Sequence, residues 1–157
     1  MSLNHETFLH YAAENGYLNT VSCMHLGLRA PYIAADHDIQ HDKKCGFKTI
    51  TARDFDNSGR EGIIRMVKER VGNTPVYISV DIDVLDPAAA PGTGTMEVGG
   101  WTTRELISIL DGLEGINISG GGVVEVSPPF DSNSEITSLA ATAVIDSFLG
   151  LMIVYDL

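Results

Sequence analysis

Two carboxylates separated by one residue, Asp81 and Asp83, stand at the end of the apolar run Val76-Tyr-Ile-Ser-Val80. β-branched residues in an uninterrupted apolar run predict a strand of a parallel sheet, buried on both faces. Side chains two apart on an extended chain share a direction, so Asp81 and Asp83 are expected to project together while Val80, Ile82 and Val84 face the core. Paired oxygen donors at the carboxyl end of a parallel strand suit a divalent cation, and that edge is where open α/β sheets hold ligands. The same Asp-x-Asp pattern also caps helices and closes turns. A carboxylate pair ending a buried strand is nevertheless costly to leave without a partner.

A third carboxylate, Glu125, lies alone in Gly120-Gly-Gly-Val-Val-Glu-Val-Ser-Pro128. Alternation puts it on the face of Val123 and Ser127. A glutamate in so apolar a strand points to a functional role such as binding a cationic group, the alternatives being a structural salt bridge or an edge exposed to water.

The elements that must carry these groups alternate between strand and helix. A helix is expected over residues 4 to 16, capped by Asn4 and ended at Gly16, followed by a strand over Thr20 to Leu28. Residues 30 to 46 form a long excursion without periodicity. A short strand, Phe47 to Thr51, leads through the polar stretch Asp54-Phe-Asp-Asn-Ser-Gly to a helix marked by Ile63, Ile64, Val67 and Val71. After the Asp-x-Asp strand comes the loop Ala88-Ala-Ala-Pro-Gly-Thr-Gly-Thr95. Thr102-Thr-Arg-Glu105 then has the capping-box pattern, opening a helix with Leu106, Ile107, Leu110 and Leu113 inward and its end near Gly115. A last helix begins near Ser134, with Ile136, Leu139, Ala140, Ala143 and Val144 inward and Ser132-x-x-Glu135 as its own capping box. This order predicts a parallel α/β sheet in one domain over residues 1–157.

Composition narrows the partners. The chain has 157 residues, 44% of them hydrophobic, enough for one real core. A formal charge of −11 argues against nucleic acid and anionic membranes and suits a cationic substrate or metal ions. Cys23 and Cys45 have no metal-ribbon spacing and no disulfide framework, so a reducing compartment, the cytoplasm, is the expectation. The amino terminus lacks the features of a signal peptide, and no apolar run is read as a membrane span.

Three segments together carry a resemblance. Ser79-Val-Asp-Ile-Asp-Val-Leu-Asp-Pro-Ala-Ala-Ala-Pro-Gly-Thr-Gly, then Gly99-Gly-Trp-Thr-Thr-Arg-Glu, then Val124-Glu-Val-Ser-Pro-Pro-Phe-Asp131 resemble the carboxyl-terminal half of the ureohydrolase (arginase and agmatinase) family, most nearly its agmatinase branch. The resemblance implies a three-layer α/β/α arginase-type fold with a parallel sheet, truncated at the amino-terminal half. It also implies two manganese ions that activate a hydroxide for attack on a guanidinium carbon, releasing urea. Asp81 and Asp83 correspond to the family's second pair of metal ligands, Glu125 to the glutamate that contacts the guanidinium, and Asp86 to a loop-shaping aspartate. Asn4-His-Glu-Thr-Phe8 resembles the family segment whose histidine shuttles protons to the leaving amine, which makes His5 the candidate; Glu6 replaces a glycine there. The family's Gly-Gly-Asp-His and Asp-Ala-His-x-Asp ligand segments are not present, and Ala35-Asp-His-Asp38, with His41 and Asp42 beyond, falls in a variable loop.

The expected activity is therefore manganese-dependent hydrolysis of agmatine or a related guanidino compound to an amine and urea. The alternative is a catalytically inactive remnant serving as a binding or oligomerisation module. A magnesium phosphotransferase also begins with a hydrophobic strand and Asp-x-Asp, but it places the pair on an early strand and a Thr or Val where this chain has Leu85. Half a domain leaves sheet edge uncovered, so self-association into a homo-oligomer is expected.

Overall fold

A computed structural model describes residues 3, 7–31, 40 and 44–153. His5, the segment Ala35-Asp-His-Asp38, His41 and Asp42 lie outside the described residues. In chain order the elements are α1 (Phe8–Glu14), β1 (Met24–Leu28), β2 (Lys48–Thr51), α2 (Asp54–Val71), β3 (Val76–Asp81), α3 (Thr103–Asp111), β4 (Ile118–Val124) and α4 (Ile136–Ile153). Short 3-10 turns, Ile82–Val84 and Pro128–Phe130, follow β3 and β4.

The strands pair in parallel, β1 with β2 and β3 with β4, and a parallel bridge joins Leu85 to Trp101. The unit β3–α3–β4 is a crossover, the connection that parallel neighbours require. The helix of that crossover starts at the expected place. Thr102 accepts the Glu105 amide and the Glu105 carboxylate accepts the Thr102 amide, so both free N–H groups are satisfied reciprocally.

The core gathers Ile63 and Val67 from α2, Val80 from β3, Ile82 and Leu85 beyond it, Leu106, Ile109 and Leu110 from α3, and Val144 and Phe148 from α4. Trp101, 4% exposed, closes this core, and its indole N–H donates to the buried carbonyl of Ala52 at 3.2 Å. The Gly121 position is dictated by α4: a Cβ there would lie 2.9 Å from the ring of Phe148, so a side chain would push the helix off the strand.

Several expectations are corrected. Asp54 to Gly59 is helical, the start of α2, with a kink at Gly59 where φ is 63°. Asp54 accepts both the amide and the hydroxyl of Thr51, so polar residues open the helix without an apolar stripe. β3 is not buried on both faces: Tyr77, 66% exposed, and Ser79 lie on an open face, opposite the covered face of Val76, Ile78 and Val80. Ile136 and Leu139 face outward, and only Ala140 and Val144 of the expected inward set are buried. Finally, α4 is long and apolar enough, by length and composition, to cross a membrane, with Asp146 its one charged residue. Here its inner face lies on β4 and α3.

Candidate functional site

Both strands of the β3–β4 pair run the same way, so their carboxyl ends meet at one edge. Asp81 is the last residue of β3 and pairs in register with Val124, the last residue of β4; Glu125 is the next residue on. The three candidate carboxylates therefore arrive at the same end of the same pair of strands.

Their local geometry differs from simple alternation. The strand stops at Asp81, and a 3-10 turn carries the chain through Asp83. Asp81 caps that turn by accepting the Asp83 amide at 3.1 Å, so the spacing of the two acids is set by a turn, not a pleat. On the other side the expected alternation also fails. Glu125 has φ of 63°, a left-handed conformation unusual for a residue with a side chain, and it sits outside the strand that was to hold it beside Val123 and Ser127.

Electrostatics ties the three together. Burial pushes the Asp81 carboxyl up to about 6, against the lowering effect of the Asp83 amide, and the negative charges of Asp83 and Glu125 raise it further. A cation beside these carboxylates would offset that cost. Among the described residues, however, no group of three or more His, Cys, Asp or Glu side chains could hold a metal ion. Asp81 and Asp83 would supply oxygen donors for part of a cation's coordination shell.

Supporting residues fix the acids. The Thr95 hydroxyl donates to Asp83 Oδ2 at 2.9 Å. Arg29, just past the end of β1, donates to the main-chain carbonyls of Asp83 at 2.6 Å, Leu85 at 3.2 Å and Glu97 at 2.5 and 3.0 Å. One guanidinium thereby joins the turn bearing Asp83 to the far limb of the loop after it. Asp86 spends both oxygens inside that loop, on the amides of Ala88 and Gly99 at 3.0 and 2.8 Å, and these hydrogen bonds hold its carboxyl below the usual range.

The loop is locked to the β4 side as well. The Gly92 amide donates to the Thr137 hydroxyl at 2.7 Å, and its carbonyl accepts the Ser127 amide at 2.7 Å. A Cβ on Gly92 would lie 2.9 Å from both Asp131 and Thr137, so only glycine lets the two loops touch. The Thr93 hydroxyl beside it is buried without a hydrogen-bond partner among the described residues.

Arg29 and Thr95 escape a motif search, because nothing in their local pattern marks them. The one usable signal for Arg29 is its place just after a parallel strand, at the edge where ligands gather.

Comparison with known proteins agrees with this architecture. A family profile described as "Arginase family" matches residues 1–150. The protein named putative agmatinase 3 of Schizosaccharomyces pombe is 43% identical over 155 residues, 99% of this chain and 38% of that protein. Guanidinobutyrase of Pseudomonas aeruginosa is 38% identical over 142 residues, 90% of this chain and 44% of its own length. The crystal structure of a hypothetical agmatinase from Burkholderia thailandensis superposes with a TM-score of 0.85 at 34% identity, covering 96% of this chain and 45% of that one. Proclavaminate amidino hydrolase from Streptomyces clavuligerus gives 0.82 at 33% identity, over 90% of this chain and 45% of its own. The chain thus spans less than half the length of the relatives it matches.

Proposed function

This chain belongs to the arginase family, and from that membership we propose that it works as part of a manganese-dependent amidinohydrolase of the agmatinase type, converting agmatine or a related guanidino compound to an amine and urea. The observation that carries the reading is the meeting of Asp81, Asp83 and Glu125 at the carboxyl ends of β3 and β4. Relatives named agmatinase and guanidinobutyrase supply the reaction class.

A guanidinium is cationic and resonance-stabilised, so water attacks its carbon slowly. When bound, divalent ions acidify water at neutral pH and offset the negative charge of their ligands. Asp81 and Asp83 would contribute oxygen donors to that centre, a ligand type manganese favours. Glu125 would accept hydrogen bonds from the guanidinium N–H groups and turn its carbon toward the centre, a charge-assisted contact stronger than a neutral one. Thr95 and Arg29 keep Asp83 in place while this happens. His5, outside the described residues, is assigned delivery of a proton to the departing amine by the resemblance of its segment.

A second reading has its own support. Among the described residues the donor set stops short of a complete metal centre, which suits an inactive binding or oligomer-forming module. Urea release from agmatine with added manganese separates the two. Turnover that disappears in Asp83→Ala is the expected result; no urea with any divalent metal leaves the second reading standing.

A further inference from the structure

His10 and Glu14 of α1 form a second set of reactive groups with Cys45. His10 Nδ1 lies 3.2 Å from Cys45 Sγ, across 35 positions of sequence, and His10 Nε2 lies 3.2 Å from the Glu14 carboxylate one helical turn on. A thiol, an imidazole and an orienting carboxylate in line have the geometry by which proteins activate a nucleophile. With Nε2–H donated to Glu14, the lone pair of Nδ1 faces the thiol and can accept its proton.

The arrangement is not a metal site. The two ring nitrogens of His10 point in opposite directions, so Cys45 and Glu14 cannot bind one ion together with it. Access is also suitable: the His10 side chain is 18% exposed and Cys45 is half-buried, shielded yet within reach of a small molecule.

We propose that Cys45 is an activated thiol that reacts with peroxides, with His10 as its base and Glu14 orienting the imidazole. His10 takes the thiol proton, and the Cys45 thiolate attacks one peroxide oxygen. A sulfur–oxygen bond forms as the oxygen–oxygen bond breaks; sulfur is oxidised by two electrons and the peroxide is reduced. The imidazolium returns its proton to the leaving hydroxide. Hydrogen peroxide thus becomes water and Cys45 becomes a sulfenic acid.

Cys23 is the built-in comparison. It too is half-buried, and burial pushes its thiol up despite the charge of Arg70. Thiolate fraction governs reactivity, so the two cysteines should differ about tenfold or more at neutral pH.

The test treats the folded full chain with limiting hydrogen peroxide and a sulfenic-acid trap, and in parallel with iodoacetamide, quantifying each cysteine by peptide mass spectrometry. Cys45 should react about tenfold faster than Cys23 with both reagents. His10→Gln, checked for native circular dichroism, should bring it to within about twofold of Cys23. Glu14→Gln, on a side chain that is 60% exposed, should slow Cys45 by a smaller factor. Equal rates for the two thiols, or an undiminished Cys45 rate in His10→Gln, overturns the proposal. An unchanged rate in Glu14→Gln overturns the orienting role.

Discussion

The hydroxyl of Thr95 reaches across the loop to Asp83 and donates to its Oδ2 at 2.9 Å. Groups that orient a metal ligand typically change affinity about 10- to 100-fold when removed. Thr95→Val keeps the shape and deletes the donor. It should weaken manganese binding by about tenfold or more, read from the free-ion signal by electron paramagnetic resonance. Because Thr95 is exposed, stability should change by less than about 1 kcal/mol. Thr95→Ser, which keeps the donor, should stay near the parent, and equal affinities in all three chains would dismiss the contact as incidental.

Arg29 tests whether the loop is clamped from beneath. Its guanidinium serves carbonyls of Asp83, Leu85 and Glu97 through a planar fork, where lysine offers a point charge. Hydrogen bonds from charged donors contribute about 1.5–3 kcal/mol. Arg29→Met should therefore lower unfolding free energy in urea by about 2 kcal/mol or more, and Arg29→Lys should recover only part of it. Full recovery by lysine would show that charge alone, not the fork, holds the loop.

Glu125 carries backbone strain at φ of 63°. A left-handed residue with a Cβ costs about 1–2 kcal/mol relative to the ordinary helical region. Glycine relieves that but loses about 0.5–1 kcal/mol of chain entropy on folding. Removing the carboxylate also lifts a like charge from Asp81, an effect shared by alanine and glycine. The comparison that isolates strain is thus Glu125→Gly against Glu125→Ala, with the glycine chain more stable by roughly 0.5 kcal/mol. Both should lose any thermal protection by agmatine in the presence of manganese. An alanine chain as stable as the glycine chain would mean that the backbone at this position is relaxed.

What the residue pattern discloses here is local, and what it conceals is long-range. Thr102 and Glu105 declare their capping box because both partners lie within one turn. β3 declares itself through its continuous apolar run, and Asp81 and Asp83 through their place at its end. Asp54 to Gly59 hides a helix because its polar side chains face solvent and show no stripe. Tyr77 is exposed for a reason no single strand can reveal, namely which face of the strand other elements cover. The pattern places Glu125 inside a strand, whereas its left-handed backbone just past Val124 depends on where β4 stops. The grip of Arg29 on carbonyls more than 50 residues away is tertiary throughout.

The start of α4 shows the same contrast and sets a pH dependence. Ser132 and Glu135 suggest a capping box, yet Asp131 takes the role, accepting the amides of Ser132 at 2.8 Å, Thr137 at 3.0 Å and Ser138 at 2.9 Å, and the Ser138 hydroxyl at 3.0 Å. Desolvation alone would raise this carboxyl; the hydrogen bonds from Thr137, Ser138 and Ser132 outweigh it and hold the group well below its ordinary 3.8. The sign follows from linkage: a carboxyl depressed in the folded state contributes stability that is fully present above its unfolded value and is lost as pH falls below it. Asp131→Asn removes the titration, so the gap in urea midpoint between parent and variant should be wide at pH 6 and narrow as pH drops below about 4. A gap of equal width at pH 6 and pH 3 would assign the contribution of Asp131 to shape alone, with no share for its charge at the helix start.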